Sequence, residues 1–592
     1  MKKSKWLALA GVSLLSVGVL VACSSKSNTS SNTYNYVYTA DPETLDYLIS
    51  NKGSTTDAVT NGVDGLLEND KYGNLVPSIA KDWTVSADGL TYTYKLRKGV
   101  KWYTSDGEEY AEVTAKDFVT GLKHAADKKT ESIYLAKDSV VGLADYFNGT
   151  DKDFSKVGVK ALDDYTLQYT LKQPEPYWNS KMTYSLFWPV NEEFLKSKGD
   201  SFGKSTDPSS ILYNGPYILK SLTAKSSIEL AKNENYWDKK NVHFDGIKLS
   251  FYDASDQESL VRNFTDGAYS QARLYPTSSN FNSVEKQYKD NIFYTQPSAD
   301  IGGVGVNIDR QSYNHTSKKT DAEKDSTKKA LLNKDFRQSV NFAIDRTAYS
   351  AQLNGEKGAA LAVRNLLVKP DFVYAGDKSF GDLVTEKMPS YGDEWSGVNL
   401  KDSQDGLFNA DKAKTEFNKA KEALQAQGVQ FPIHLDLPVD QAAKPTVARA
   451  QSLKQSVEKT LGKENVVVDV HQMSQDDLLN STLYAANAAK ETSDLNVRYE
   501  RYAEAQAWLE DSSLFMPLMV NKGAAPMVAR LTPFSGAYSQ VGPKGSDRYF
   551  KYLEPQKDVV TKKNYDKARE SWLKEKSKSN EKAQKDLEKH VK

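Results

Sequence analysis

Ala80-Lys-Asp-Trp83-Thr-Val-Ser86-Ala-Asp88-Gly89-Leu-Thr91-Tyr92-Thr-Tyr94-Lys-Leu96-Arg97-Lys-Gly99-Val100-Lys101-Trp102 is the stretch from which the fold can be read. Tyr92, Tyr94 and Leu96 alternate with Thr93, Lys95 and Arg97, the period of a strand with one buried face. Asp88-Gly89 is a tight-turn dipeptide, so residues 83–85 and 91–96 are predicted to pair as a β-hairpin. Asp106-Gly107 predicts the next turn. Thr114 stands where an N-cap is needed for a helix over residues 116–126. All of these residues read as scaffold.

Working outward, Tyr34-Asn-Tyr-Val-Tyr-Thr alternates and marks where structure begins. Further strands are predicted at 303–308 and 466–470. Ala413, Phe417, Ala420 and Leu424 fall on one stripe of a helix over 411–427, with Gly428 as its stop. A second helix is predicted at 496–509, and the polar run 314–329 reads as a loop. Strands and helices interleave along the whole chain, so the class is mixed α/β. Residues 562–592 are nearly all Lys, Glu, Asp, Ser and Asn; Tyr565, Ala568 and Trp572 can dock the start of this segment, and the rest reads as a solvated helix or tail.

The N-terminus carries a removable signal. Met1-Lys2-Lys3-Ser4-Lys5 is a basic start, an apolar run follows from Trp6 to Val21, and Leu20-Val21-Ala22-Cys23 is a lipobox. Residues 1–22 are read as the signal peptide, Cys23 as the lipidation site and 23–33 as a flexible tether. Cys23 is the only cysteine, so no intramolecular disulfide forms. Lys plus Arg equals Asp plus Glu at 78 each. That balance argues against nucleic acid as a partner, which calls for a basic stripe.

Motifs of bond-making chemistry are weak. Gly199-Asp200-Ser201-Phe202-Gly203 matches Gly-x-Ser-x-Gly, but that motif works only at a strand-to-helix turn, and here a helical segment precedes it. Gly203-Lys204-Ser205 lacks the earlier glycine of a phosphate loop. The six histidines are scattered, and no metal or cofactor site is suggested.

The opening block, continued through Asp106-Gly107 to Val113-Thr114-Ala115-Lys-Asp117-Phe118-Val119, closely resembles the signature of the extracellular solute-binding proteins, family 5, the peptide receptors of ABC importers. Asn214-Gly215-Pro216-Tyr217, Asn233-Glu-Asn235-Tyr236-Trp237-Asp238, Phe336-Arg337 through Asp345-Arg346, and Asp511 through Pro517 follow in the family's order. The likeness covers nearly all of the mature chain and is nearest in character to the streptococcal oligopeptide-binding lipoproteins. It implies a two-lobed α/β periplasmic-binding-protein-like fold (class II, family 5 type), with a hinge and a peptide cleft between the lobes. Lobe I is expected at 34–268 and 535–592, and lobe II at 269–534. Peptide-facing residues implied by position are Ala40 and Asp41, Tyr134, Tyr269, Arg273, Tyr275 and Asn307. The resemblance further implies a monomer without cofactor, lipid-anchored outside a Gram-positive cell, that hands oligopeptides to ABC transporter permease subunits.

One departure stands out. The family's Gly-Trp-x-x-Asp-Tyr-like stretch, whose acidic residue meets the peptide α-amino group, is missing, and no Gly-Trp dipeptide occurs in the chain. Several dozen residues of lobe II are expected to be absent near 488–492. An ammonium without its carboxylate loses about 1.5–3 kcal/mol, roughly tenfold to a hundredfold in affinity. The alternative function is therefore a peptide-sensing or surface-interaction lipoprotein of the same fold.

Overall fold

The computed structural model describes residues 32–50, 52–310, 312–473, 495–539 and 542–592. The signal segment, Cys23, most of the tether and the expected deletion point lie outside the described residues. Strand β1 (Thr33–Tyr38) opens the fold. The predicted hairpin is β2 (Ala80–Val85) and β3 (Thr91–Leu96), with Gly89 at φ +70° in the turn. Helix α1 (Ala115–Asp127) starts at a capping box in which Thr114 and Asp117 satisfy each other's backbone N–H. Asp117 also accepts from Trp102 Nε1 at 3.0 Å. β4 (Val159–Asp163) and β5 (Thr166–Thr170) complete a sheet of order β2-β3-β5-β4. β6 (Tyr217–Thr223), β7 (Ser227–Lys232) and β8 (Gly246–Phe251) form a second sheet of order β1-β8-β7-β6, in which β1 runs parallel to β8.

Next come the short strands β9 (Gln271–Arg273) and β10 (Phe293–Tyr294), then β11 (Ile301–Gly305). A helical region follows: α2 (Asp321–Leu332), α3 (Lys334–Ala343), α4 (Arg346–Ala362) and α5 (Ala410–Ala426). β12 (Ile433–Asp440), α6 (Lys444–Leu461) and β13 (Val466–Met473) make a parallel pair joined by a helix. After α7 (Leu495–Ser512), the chain returns through β14 (Phe515–Val520) and β15 (Pro526–Ala529) and ends on α8 (Lys562–Glu588).

Apolar side chains divide into two large cores. One runs from Tyr34 through Leu249 and takes in Phe293, Met527, Ala529, Phe550 and Tyr565. The other runs from Ala330 through Leu518 and contains the predicted stripe of α5. A smaller core joins Val37, Phe264, Ala272, Tyr288 and Val528. Segments 271–294 and 525–531 therefore pack with the first lobe.

Two expectations need correction. Residues 314–329 are not all loop, because α2 occupies 321–332. Its Thr320–Glu323 capping box and its buried Ser326, Thr327 and Ala330 explain a helix with little apolar signal. The strand predicted at 303–308 runs over Ile301–Gly305: it begins earlier because it continues a ladder entering from the first lobe, and it ends before residue 306. Helix α8 covers Lys562–Glu588 of the segment read as a solvated helix or tail. Its start is docked by Tyr565 and Trp572, and its end by His590, stacked on Trp83 at 4.0 Å, while Val591 pairs with Val85.

Candidate functional site

Both passages between the lobes are hydrogen-bonded to each other. Phe293 pairs with Met527 and Tyr294 with Pro526. Thr295 and Ala525, Ser298 and Lys522, and Asp300 and Asn521 continue the pairing, and β11 against β14 carries it into the second lobe. The connection is one antiparallel ribbon. Gly523 bends it: its φ is +81°, and a Cβ there would stand 1.9 Å from the Gln296 carbonyl oxygen.

Beside the ribbon lies an aromatic and basic cluster. Tyr36 on β1 meets Tyr269 edge-on at 6.1 Å. The Arg273 guanidinium lies 5.1 Å from the Tyr275 ring centre, and Arg273 Nη2 donates to Asn354 Oδ1 at 3.2 Å. Asn354 is buried on α4, so this bond joins helix to hinge strand. Arg273 Nε is buried without a hydrogen-bond partner among the described residues. Burial raises the Tyr36 phenol to about 12, and Tyr275 adds to the rise, while Arg273 and Arg548 oppose it. The structure thus brings Tyr269, Arg273 and Tyr275 together at the crossing.

The other expected positions lie apart from this cluster. Ala40 is exposed just past β1, and Asp41 accepts from the Tyr38 hydroxyl at 2.9 Å and from the Lys225 N–H. Asp41 thereby fixes the end of the strand. Tyr134 is 64% exposed. Burial raises the phenol pKa of Tyr184, and Tyr134 and Asp300 add to the rise. Asn307 accepts from the Asp309 N–H at 3.1 Å and shapes the turn toward Arg310. Arg310, Lys318 and His471 in turn hold the Asp436 carboxylate.

Tyr36, Tyr184 and Asn354 carry no sequence signal that marks them as site neighbours. Tyr36 stands in the alternation at 34–38, which by itself specifies only a strand. Asn354 had no signal, because its importance comes from a contact 81 residues away. Ser201 sits exposed in a single 3-10 turn after a helix, not at a strand end. Gly203 of that motif serves packing: a Cβ there would lie 2.4 Å from the Asp46 backbone nitrogen.

The shared motifs meet in buried scaffolding. Asn214 Oδ1 accepts from the Asp64 N–H at 2.6 Å, Asn233 donates to the Gly215 carbonyl at 3.0 Å, and Tyr236 donates to Asp64 at 2.7 Å. Asp64 pairs with Lys544 at 2.8 Å. In the second lobe, Arg337 donates to the Ser512 carbonyl and Arg346 to the Pro517 carbonyl. Asp511 accepts from Gln338 and Trp395.

The family profile described as "Bacterial extracellular solute-binding proteins, family 5 Middle" matches residues 74–501. The oligopeptide-binding protein AmiA of Streptococcus pneumoniae is 64% identical, with all of both chains covered. The oligopeptide-binding protein SarA of Streptococcus gordonii is 54% identical, again over all of both chains. The alignment with AmiA spans 659 positions against 592 residues here, so at least 67 of its positions have no counterpart in this chain. Among solved structures, the peptide-bound OppA of Listeria monocytogenes superposes with a TM-score of 0.65 at 20% identity, covering 89% of this chain and all of that one. An oligopeptide ABC transporter substrate-binding domain from Bacillus anthracis gives 0.65 at 21% identity, covering 89% of this chain and 99% of that one. With these matches added to the motifs and the fold, the chain belongs to the bacterial extracellular solute-binding proteins, family 5.

Proposed function

We propose that this protein captures oligopeptides outside the cell and delivers them to an ABC importer, acting by binding alone. The full-length match to oligopeptide-binding relatives carries this reading. Two lobes joined by a bendable ribbon, with tyrosines and Arg273 at the crossing, supply the means: an extended peptide pairs through its backbone and is enclosed when the lobes close. We place the division of the lobes on the ribbon, near 295 and 524, rather than at 269 and 534. Ala40, Asp41, Tyr134, Tyr269, Arg273, Tyr275 and Asn307 remain the proposed peptide contacts. Cys23 is the proposed lipid anchor, and Cys23→Ala is expected to release the protein into the medium; retention at the membrane would contradict it.

The shortfall against AmiA favours a second reading, a receptor with weakened or altered grip that senses rather than supplies. We assign the missing stretch to the region near 488–492, where the Gly-Trp motif is absent. Calorimetric titration with mixed free-amine oligopeptides tests both readings. Nanomolar binding would refute the loss of the amine anchor, and no binding at any length would remove the receptor function. Labelled-peptide uptake in a strain lacking the protein separates transport from sensing.

A further inference from the structure

Helix α8 concentrates charge. Residues 562–592 hold eleven Lys and Arg against six Asp and Glu, a net of +5, in a chain whose totals are 78 and 78. The remainder therefore carries −5. The excess is arranged by face. Lys563, Lys567, Lys574, Lys578 and Lys585 stand at i, i+4, i+11, i+15 and i+22. At helical pitch they fall within about 60° of arc along about 33 Å. All five are exposed. Among the described residues, the ion pairs on this helix, Lys562–Asp566 and Lys589–Asp586, involve none of them.

The opposite face is fixed to the first lobe. Tyr565 stacks on Phe293 at 4.1 Å. Trp572 stacks on Phe534 at 5.3 Å and donates Nε1 to the Lys71 carbonyl at 2.7 Å. Asn74 donates to Ser579 at 2.8 Å, and the C-terminus is held at Trp83 and Val85. The lysine edge is thus a straight, rigid row that points to solvent. Glu570 and Glu588 border it on one side, Glu581 falls on that edge in line with Lys563, and Lys582 and Lys589 border it on the other.

The segment that leads into this helix meets the residues where the described chain begins. The Asn32 side chain donates to the His243 carbonyl. His243 Nε2 stands 3.9 Å from Glu554 Oε1, seven residues before the cap at Thr561. From Cys23 to Asn32 the chain can span at most about 30 Å. An anchor at Cys23 therefore leaves α8 within reach of the membrane surface.

We propose that the lysine edge of α8 rests against the anionic head groups of the membrane, and so sets how the cleft faces the bilayer. A flat anionic surface matches a straight row of cations better than a compact ligand does, and each lysine near such a surface adds attraction. The test uses the chain from Ser24 onward, which keeps every described residue and has no lipid. Sedimentation with phosphatidylcholine vesicles is compared with vesicles holding about a third phosphatidylglycerol. Partition to the anionic vesicles is expected to be about tenfold or more higher, and to vanish near 0.5 M salt, where screening is short-ranged. Joint Lys563→Gln, Lys567→Gln, Lys574→Gln, Lys578→Gln and Lys585→Gln is expected to abolish the difference with an unchanged melting temperature. Joint Glu570→Gln, Glu581→Gln and Glu588→Gln is expected to strengthen binding, which keeps the test decisive if the lysine variant misfolds. Equal partition to both vesicles, or glutamine variants that bind as the parent does, overturns the proposal. So does binding to soluble polyphosphate but not to vesicles.

Discussion

Lys551 lies 2.6 Å from Glu68 and 2.9 Å from Asp238, and neither Lys551 nor Glu68 is more than 1% exposed. Tyr549 and Tyr552 also donate to Glu68, so the returning C-terminal segment is riveted to the first lobe by charge. Burial disfavours the ammonium, but Glu68, Tyr552, Asp64 and Asp238 outweigh it and hold its pKa above the ordinary range. Its contribution is therefore complete at neutral pH and is lost only in strong alkali. Lys551→Met leaves buried carboxylates uncompensated, and about 3–5 kcal/mol of stability is expected to go. Denaturant unfolding measures it; a loss under 1 kcal/mol on the same scale would show that the network is not essential.

Glu510 is a different kind of buried acid. Burial raises its pKa to about 8, opposed by Arg346 and by the bond from Gln506. The native state keeps the proton where the unfolded chain has lost it, so stability falls as pH rises from about 4.5 to about 8, by up to roughly 1.4 kcal/mol per pH unit. Glu510→Gln keeps the acceptor for Gln506 and is expected to flatten the melting temperature across that window. An unchanged slope would assign the pH dependence elsewhere.

Gly523→Ala places a methyl group against the Gln296 carbonyl in a left-handed backbone. The ribbon has to shift, at a cost of about 1–3 kcal/mol. Amide exchange at Thr295 and Ala525 is expected to speed up. Protection equal to the parent's would mean that the bend is not held by this glycine.

Trp572→Ala removes two ring contacts and the hydrogen bond to Lys71. A buried tryptophan is worth about 3–5 kcal/mol, but here the loss is expected mainly as local release of α8. Hydrogen exchange should rise along 562–588 with little change at β3. Uniform acceleration would instead make the helix part of the cooperative core.

Tyr134→Ala tests the cleft directly. The ring is exposed, so the melting temperature is expected to hold, while peptide affinity falls about threefold to tenfold. Unchanged titration heats and affinity would remove Tyr134 from the peptide contacts.

Much of the fold could be read because its local signals agree with one another. Asp88-Gly89, the Tyr92–Leu96 alternation and the α5 stripe each pair a turn or cap with the right period. The polar helix α2 is not legible in the sequence, because its support is a capping box and small buried hydroxyls, not an apolar face. Its neighbour Asp436 shows the same limit: its partners Arg310, Lys318 and His471 come from separate segments. Tyr269, Arg273 and Tyr275 are legible as neighbours because they sit on one short stretch; as peptide contacts they stay a proposal. Asn354 and Tyr184 were not, since folding alone brings them close.

A ladder shared by both passages restricts the motion it allows. Flexing across its thin dimension keeps every rung intact, whereas sliding one passage past the other breaks them all. Empty and loaded forms should therefore differ by a single rotation, giving an importer one geometric variable to inspect whatever peptide lies inside.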